Sequence, residues 1–568
     1  MISDKDLKDL TWLLKRLQTS EDWCRPYFER AKRHYQLYRF GSAVGEDDWP
    51  YINRVRSRDI LAFIEDSTAI LVQTLFATIP FFSVLPRETD LQYQQYEGID
   101  PYEVGEQIAK ALDYQISHEK TEFFEEIVDF FKGGMIFGNA YMGVYPSFEK
   151  GRYLRPLLKA TDFWDVLPIA GAKRVSKARG LFVRDFQSID YVKDLGKSGV
   201  FKNVDLLKIP ESSGSDSEKN WHRTLLEEVG MTNYHMEDND VEIFNYFSGG
   251  HVITIGDRKV ILRNSNGRDE KPYPYDMPLV QYKYMPVPME FYAMGIPEVL
   301  EVLQEDKNLI RSARRDNIDL VINKILKAKS GADINFDLIK YYAGAIWPLE
   351  NLSDIEEMDM QDVTASSYQE EAMRQQDMEN ALSLFGYARG QTPTHSEQPT
   401  TVMKLQQASL NRLDLAVKLA EFTTLQNIAT RIILLTRRYM DQSDYEAIVG
   451  GQDAGFYKMS EEDIRRFYYF KPMGSSVTHI KEVRLQQITQ ALQIAMNIPP
   501  ELRMNNIQPY TLDMYEAEKE LYDAVNVRNS ERMLRKVPQE AQQIPEVPMG
   551  PPGQMDMEGL MGVNYGGQ

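Results

Sequence analysis

The spacing of apolar residues predicts helices at the start of the chain. Residues 5–40 have the pattern of an amphipathic helix, and after a break at 41–50 a helical pattern continues until Pro80 ends it. The following stretch, "IPFFSVLP", is short and apolar, which is typical of a strand. Residues 103–133 again have apolar positions near helical spacing, so we expect one further helix there.

The pattern changes after Gly133 and Gly134. Aromatic and β-branched segments such as "GNAYMGVYPSF", "GLFVRDFQS" and "VEIFNYFSGGHVITIGDRKVILRN" are separated by glycine and proline. These segments predict strands and hairpins. Residues 211–220 form a polar insertion among them, which we expect to be mobile.

Helical patterns return at 295–326, where Pro297 and Glu298 suit a first helical turn. A compact insert follows, and a polar helix is predicted at 364–385. Residues 386–400 are rich in glycine, proline and threonine, and then 401–439 has the apolar stripe of one helix about 60 Å long. Further helices are predicted at 461–470, 481–496 and 511–534. The sequence therefore indicates an α+β fold that is predominantly helical.

Composition narrows the class of protein. The 568 residues carry a formal net charge of −20, which disfavours broad binding to nucleic acid or anionic membranes. A single cysteine, Cys24, excludes an internal disulfide framework. Glu65 and Asp66 interrupt the best candidate for a membrane span, and the N-terminus has no apolar core of signal-peptide type. We expect a soluble protein made in the cytoplasm, with no membrane contact.

The motifs of catalysis are incomplete. "GKSGV" at 196–200 lacks the earlier glycine of a phosphate loop, because Tyr191 stands at that position. "EDND" at 237–240 lacks the glycine and glutamate spacing of a calcium loop. None of the seven histidines forms a metal-protease motif. The sequence therefore predicts neither an enzyme nor a bound cofactor or metal, although a site built from scattered residues stays open.

Several basic residues are candidates for contact with DNA. Arg311, Arg314 and Arg315 lie on adjacent turns of the 295–326 helix, and we favour salt bridges to Glu305, Asp319 or a neighbouring chain over a DNA-facing patch. The better candidates for phosphate contact, with a solvated face as the alternative, are Lys324, Lys327 and Lys329.

Two aromatic stretches are candidates for stacking on bases. They are "FYYF" at 467–470 and "YKYMP" at 282–286. Alternating aromatic residues near strands are more often in a core or an interface, so we expect such positions for both.

The order of these parts resembles the portal (head–tail connector) proteins of tailed bacteriophages, from about residue 49 to 535. The stretches that carry the likeness are "WPYINRVRSRDILAFIEDSTAILVQTLFATIPFFSVLP", "FGNAYMGVYPSF", "ATDFWDVLPIA", "MPLVQYKYMPVPMEFYAMGIPEVLEVLQEDKNLIRSARRDN" and "GYARGQTPTHSEQPTTVMKLQQASLNRLDLAVKLAEF". None is a strict motif; the likeness lies in their order and in a long helix pair around a small insert.

The resemblance implies a division of the chain into nine parts. It consists of an N-terminal helical arm at 1–47, a wing at 48–290, a first stem helix at 291–326, a clip at 327–362, a second stem helix at 363–385, a tunnel loop at 386–400, a spine helix with the remaining wing at 401–480, a helical crown at 481–540 and a disordered tail at 541–568.

The same resemblance implies a function and a set of partners. Such proteins form a ring, usually of twelve copies, at one capsid vertex of the virion, through which a terminase packages double-stranded DNA. The DNA is later ejected through the same channel. The implied partners are further copies of the chain, double-stranded DNA, the major capsid protein, the terminase, and head–tail adaptor or tail proteins.

The implied contact residues fall in two places. In the tunnel loop, Arg389 is the fixed positive charge, and uncharged or weakly charged contacts come from Gln391, Thr392, Thr394 and His395. In the clip, Trp347 beside Pro348 is a candidate docking surface for an adaptor or the terminase, or alternatively a small core.

Two other classes of protein stay open at this point. One is an enzyme acting on nucleic acid, whose long helices form a clamp. The other is a capsid connector or scaffold protein without a DNA channel. Particle size in solution and any metal- or nucleotide-dependent turnover distinguish them from a portal.

Overall fold

The structure is a computed structural model. The residues that it describes are 4–44, 50–76, 80–87, 99–118, 121–149, 151–207, 240–266, 271–323, 325–330, 353, 355–358, 364–382 and 411–473. All of them belong to one compact unit, Met1–Ser475. The insertion at 211–220, most of the implied clip at 327–362, the loop at 386–400, the implied crown at 481–540 and the implied tail at 541–568 lie outside the described residues.

The fold is mixed α+β. The α-helices are α1 (Asp4–Phe40), α2 (Asp59–Leu75), α3 (Pro101–Ser117), α4 (Phe123–Phe137), α5 (Ile189–Lys197), α6 (Ile296–Ile322), α7 (Thr364–Leu382), α8 (Asn411–Leu419), α9 (Gln426–Tyr439), α10 (Gln442–Val449) and α11 (Glu461–Phe467). The strands are β1 (Phe82–Pro86), β2 (Asn139–Glu149), β3 (Arg152–Thr161), β4 (Val166–Pro168), β5 (Leu181–Ser188), β6 (Asp240–Ser248), β7 (His251–Gly256), β8 (Val260–Asn264), β9 (Leu279–Lys283), β10 (Leu326–Ala328), β11 (Ile355–Glu357) and β12 (Tyr468–Pro472).

The strands pair as antiparallel sheets. Within the described residues the orders are β3-β2-β9, β4-β5-β6-β7-β8, β1-β12 and β10-β11. The three- and five-stranded sheets lie where the period of the sequence changed from helical to alternating, so the prediction of strands and hairpins in this part is confirmed. The core of the five-stranded sheet also buries the apolar face of α1, including Leu13, Leu17 and Phe28.

The prediction of one helix over 103–133 is wrong. The chain forms α3 and α4 instead, and Glu122 between them has a left-handed backbone with φ of 50°. The hydroxyl of Thr121 donates to the carbonyl of Gln115, and its N–H donates to that of His118. These hydrogen bonds turn the chain where the polar stretch "SHEKTE" provides no apolar residue to continue the buried face.

The predicted helix at 461–470 ends early. Helix α11 stops at Phe467, and β12 continues as a strand that pairs with β1, nearly 400 residues away in sequence. Phe467, Tyr468 and Phe470 are buried, as is Tyr282 of the second aromatic stretch, so a core position is confirmed for these residues. Because β1 and β12 are so far apart in sequence, their pairing produces no local sequence pattern. The local pattern therefore favoured a helix for the whole of 461–470.

The long helix predicted at 401–439 is described from residue 411, and from there it is helical to Tyr439. Helices α8 and α9 are joined by a π-helical stretch, Ala420–Leu425. Its apolar stripe is fully buried, with Ile428, Ile432 and Leu435 at 0% exposure. The helix thus contributes to the largest core cluster among the described residues.

Candidate functional site

Helices α6 and α7 form an antiparallel hairpin. Arg314 lies over the ring of Tyr368, Arg311 donates to Glu371, and Lys307 donates to Gln375. The residue numbers along α6 decrease as those of their partners along α7 increase, so the two helices are antiparallel. Helix α6 begins after Gly295 with Pro297 in its first turn, as expected. The two helices predicted on either side of the insert therefore pack directly on each other. We call this pair the stem hairpin.

One carboxylate of α7 holds two arginines of α6. Glu371 Oε1 accepts from Arg311 Nε at 2.7 Å, and Glu371 Oε2 accepts from Arg314 Nη2 at 2.6 Å. Burial raises the pKa of Glu371, but the hydrogen bonds and charges of the two arginines outweigh it and hold that pKa below its usual value. The pair fixes the register of the hairpin.

The three arginines form salt bridges, as the favoured interpretation predicted, but not all of their partners are the predicted ones. Arg315 pairs with Asp319 at 3.5 Å, as expected. Glu305 instead accepts from the hydroxyl of Ser42 and the N–H of Ala43. The actual partner, Glu371, lies on another helix, and one-dimensional spacing gives no signal for it.

An extended strap, residues 50–58, runs along α6 in the opposite direction. The N–H groups of Ile52 and Asn53 donate to Asp316, at 2.9 and 2.8 Å. Further along, the N–H of Ser57 donates to Asn308 Oδ1 at 2.8 Å. Burial raises the pKa of Asp316, but the hydrogen bonds from Asn53 and Ile52 outweigh it and hold that pKa below its usual value.

The strap explains a feature of α6 that sequence reasoning missed. Gln304, Asn308 and Ser312 are completely buried although they are polar, and they recur every fourth residue. Their hydrogen bonds go to the strap and to Gly41. The four-residue repeat of these polar side chains is visible in the sequence. The segment that they bind is irregular and lies about 250 residues earlier, so the sequence gives no indication of it.

Strands β10 and β11 close the stem hairpin at its tip. Lys327 lies opposite Glu356 in the ladder, and the N–H of Met358 donates to the carbonyl of Ile325. Lys327 and Lys329 are exposed, but so are Glu356 and Glu357 beside them. The tip is therefore mixed in charge, which weakens any attraction that the two lysines exert on a phosphate backbone.

The remaining predicted contact residues lie outside the described residues. These are Lys324, Trp347 of the implied clip, and Arg389, Gln391, Thr392, Thr394 and His395 of the loop at 386–400.

The stem hairpin exposes large apolar side chains. Val302 is 71% exposed, Ile322 63%, Met373 63% and Tyr368 57%. An open groove of about 290 Å³ lies between the strap and the hairpin, lined by Tyr51, Asp306, Leu309, Ile310, Ala313, Glu370 and Arg374. Large apolar side chains that are exposed on both helices are candidates for contact with another chain.

In the part of the chain that the structure describes, no group of three or more His, Cys, Asp or Glu side chains could hold a metal ion, and no helix is long and apolar enough to cross a bilayer. Residues 196–200 form the end of α5 and the turn after it, as the missing glycine predicted.

No protein-family model matches the chain, and no curated protein matches it. A functional assignment therefore depends on the order of its elements and on the geometry of the stem hairpin.

Proposed function

We propose that this chain is a phage portal protein. In this proposal a ring of copies, twelve by the resemblance, forms a channel at one capsid vertex. Double-stranded DNA is packaged through the channel by a separate terminase, is later ejected through it, and tail or adaptor proteins attach to its outer end. The protein itself carries out no chemical reaction and needs no cofactor.

The observation that carries the proposal is the stem hairpin with its two-stranded tip. The resemblance implies two stem helices on either side of a clip, and α6 and α7 are such a pair, joined through Arg311, Arg314 and Glu371. The tip strands β10 and β11 occupy the ends of the implied clip. The resemblance already includes a helix pair around an insert, and the direct packing of α6 on α7 agrees with what it implies.

The exposed apolar residues of the hairpin support assembly. Val302 and Met373 would leave apolar surface in water in an isolated chain, whereas contact with a neighbouring copy would bury it. In a ring, each copy would use one face of its hairpin against a different face of the next copy.

The charge of the chain suits a channel through which DNA slides. Twelve copies would carry a formal charge of about −240, which opposes retention of the phosphate backbone by the ring as a whole. Contacts with the moving duplex would then be local and weak, as proposed for Arg389 in the tunnel loop.

The proposal is tested by electron microscopy and mass measurement of the purified chain. We expect closed rings with a central hole and a mass of roughly 790 kDa for twelve copies of 65.7 kDa. A chain that stays monomeric across protein concentration, salt and pH would contradict the proposal. So would metal- or nucleotide-dependent turnover of nucleic acid, which would favour the enzyme with a helical clamp.

A pair of variants tests the proposed interface. Val302→Glu with Met373→Glu should abolish rings and leave a folded monomer, because two charges would have to be buried between copies. The matched control is Val200→Glu with Leu206→Glu, two exposed apolar residues near the end of α5. The control variant should still form rings. Intact rings in the first variant would exclude these hairpin residues from the interface.

A further inference from the structure

A loop between β4 and β5 concentrates positive charge in this acidic chain. Residues 169–180 form the loop, and its exposed cations are Lys173, Arg174, Lys177 and Arg179. Lys283 of β9 contacts the same loop, since its Nζ donates to the carbonyl of Lys173 at 3.0 Å. We call these five residues the basic loop cluster.

The backbone of the loop is anchored to neighbouring strands. Val175 is 1% exposed, and its N–H donates to Gln281 Oε1 at 3.1 Å. The hydroxyl of Ser248 donates to the carbonyl of Arg179 at 2.9 Å. A 3₁₀ turn, Val175–Lys177, lies between these anchors. The cations are thus presented from a fixed backbone, which lowers the entropy cost of binding a ligand.

The charges of the cluster are not neutralised internally. In the described part of the chain, no salt bridge joins any of its five side chains to a carboxylate, whereas the exposed Lys193 and Lys197 each pair with an aspartate. Among the described residues, Lys283 Nζ donates to the carbonyls of Lys173 and Glu290. Within the described residues, the basic loop cluster therefore carries positive charge that no salt bridge neutralises.

The lowered pKa of Lys283 also reflects the positive charge of this loop. Burial and then the charge of Arg174 lower its pKa to about 8, and the charge of Glu290 opposes this without cancelling it. A bound anion would favour the protonated amine again. Binding of an anion at this patch is thus coupled to the charge of Lys283.

We propose that the basic loop cluster binds the phosphate backbone of double-stranded DNA. The exposed or half-exposed side chains between the cations are small, Ala172, Ser176 and Ala178, so the loop lacks the apolar centre of a protein interface. It also lacks an exposed aromatic ring on which the bases of a single strand could stack. Lysine and arginine without base-reading or stacking groups suit contact with phosphates independent of sequence.

This contact goes beyond the proposed function and does not rest on it. The cluster lies on the β-rich part of the chain, away in sequence from the loop at 386–400, and it needs only one copy to bind. Ring formation and DNA binding at this cluster can therefore fail separately.

The test is titration of the full-length protein with a fluorescent 30-base-pair duplex at several salt concentrations. The test variant carries Lys173→Gln, Arg174→Gln, Lys177→Gln and Arg179→Gln. The control variant loses the same charge at exposed lysines elsewhere, through Lys193→Gln, Lys197→Gln, Lys418→Gln and Lys458→Gln. Circular dichroism verifies that both variants are folded.

We expect the test variant to bind the duplex at least tenfold more weakly than the control variant. Its dependence of log K on log salt should be shallower by about 3 to 4, since each lost phosphate contact removes about 0.9. Equal affinity of the two variants would overturn the proposal, as would a wild-type chain that does not bind duplex at low salt. Preference for polyglutamate over duplex would overturn it too and would assign the cluster to an acidic protein.

Discussion

The ammonium of Lys307 joins α6 to the first residue of α2, because its Nζ lies 2.8 Å from Oδ2 of Asp59. The same atom donates to Gln375 Oε1 of α7 at 2.7 Å. Lys307 is 3% exposed, so these two acceptors replace most of the water that the charge would otherwise bind. One side chain thus fixes the start of α2 and the second helix of the hairpin onto α6.

Replacing this lysine should destabilise the fold. Lys307→Met leaves the carboxylate of Asp59 and the amide oxygen of Gln375 without their donor, at a cost of roughly 2–3 kcal/mol in the free energy of unfolding. Asp59 keeps partial solvent access, which limits the loss. Urea denaturation measures it. Lys193→Met, at an exposed salt bridge, is the control and should change stability by less than about 0.5 kcal/mol; equal effects would contradict the role given to Lys307.

Two adjacent glycines of α4 should respond oppositely to alanine. A Cβ on Gly133 meets no atom within 4 Å, whereas a Cβ on Gly134 would lie 2.6 Å from Cδ1 of the fully buried Tyr282. Gly133→Ala should therefore stabilise the helix by about 0.5–1 kcal/mol. Gly134→Ala should destabilise the fold by about 1–3 kcal/mol through overpacking. Thermal unfolding measures the change in stability of both variants. A change in the same direction for both would contradict the close packing of α4 on β9.

Acid should loosen the stem hairpin and the strap. Asp316 and Glu371 have folded-state pKa values below their ordinary 3.8 and 4.5. Their contribution is therefore complete above those ordinary values and is lost as pH falls through the lowered ones. The urea midpoint of wild type should exceed that of the Asp316→Asn, Glu371→Gln variant at pH 7, and the difference should shrink by pH 3.

The control for this titration replaces two exposed carboxyl groups, with Glu103→Gln and Asp205→Asn. Its midpoint should follow that of wild type at both pH values. A difference between wild type and the test variant that stays constant from pH 7 to pH 3 would show that these two carboxylates do not contribute in the stated way.

The sequence predicted elements better than it predicted contacts. The bounds of α1, α6 and α7 follow from local spacing, because each helix shows its apolar or polar faces within its own residues. The partner of Arg311, the strap along Asn308 and the pairing of β1 with β12 depend on distant segments. Local pattern has no information about such contacts, so the candidate site was only partly recoverable from it.

The tip of the hairpin provides a prediction for the portal proposal. Lys327→Glu with Lys329→Glu should leave rings intact, since both side chains are exposed and make no described salt bridge. Engagement of the terminase, an adaptor or DNA should weaken, by less than tenfold because Glu356 and Glu357 already oppose the lysines. Pull-down with the terminase and a packaging assay measure this. Normal packaging by the double variant would remove both lysines from the set of contact residues.

The loop at 386–400 provides the most direct functional test. Its sequence predicts no continuous helix, because Gly386 and Gly390 permit backbone conformations that other residues disfavour and Pro393 and Pro399 disfavour a helix. Arg389 is its only fixed positive charge, so each copy in a ring could touch a phosphate without holding it strongly at physiological salt. Such a loop would act on DNA that is already inside the channel.

Replacing residues 391–398 by a few glycines should therefore preserve folding and ring assembly. It should impair a late step, the retention of packaged DNA, more than early capsid assembly. Arg389→Gln, which removes the charge but keeps the length of the loop, separates the contribution of phosphate contact from that of loop size. We expect the shortened variant to yield fewer DNA-filled particles than wild type while the number of capsids stays the same. Infectious particles at wild-type yield and with wild-type DNA content would exclude a role for this loop in holding DNA.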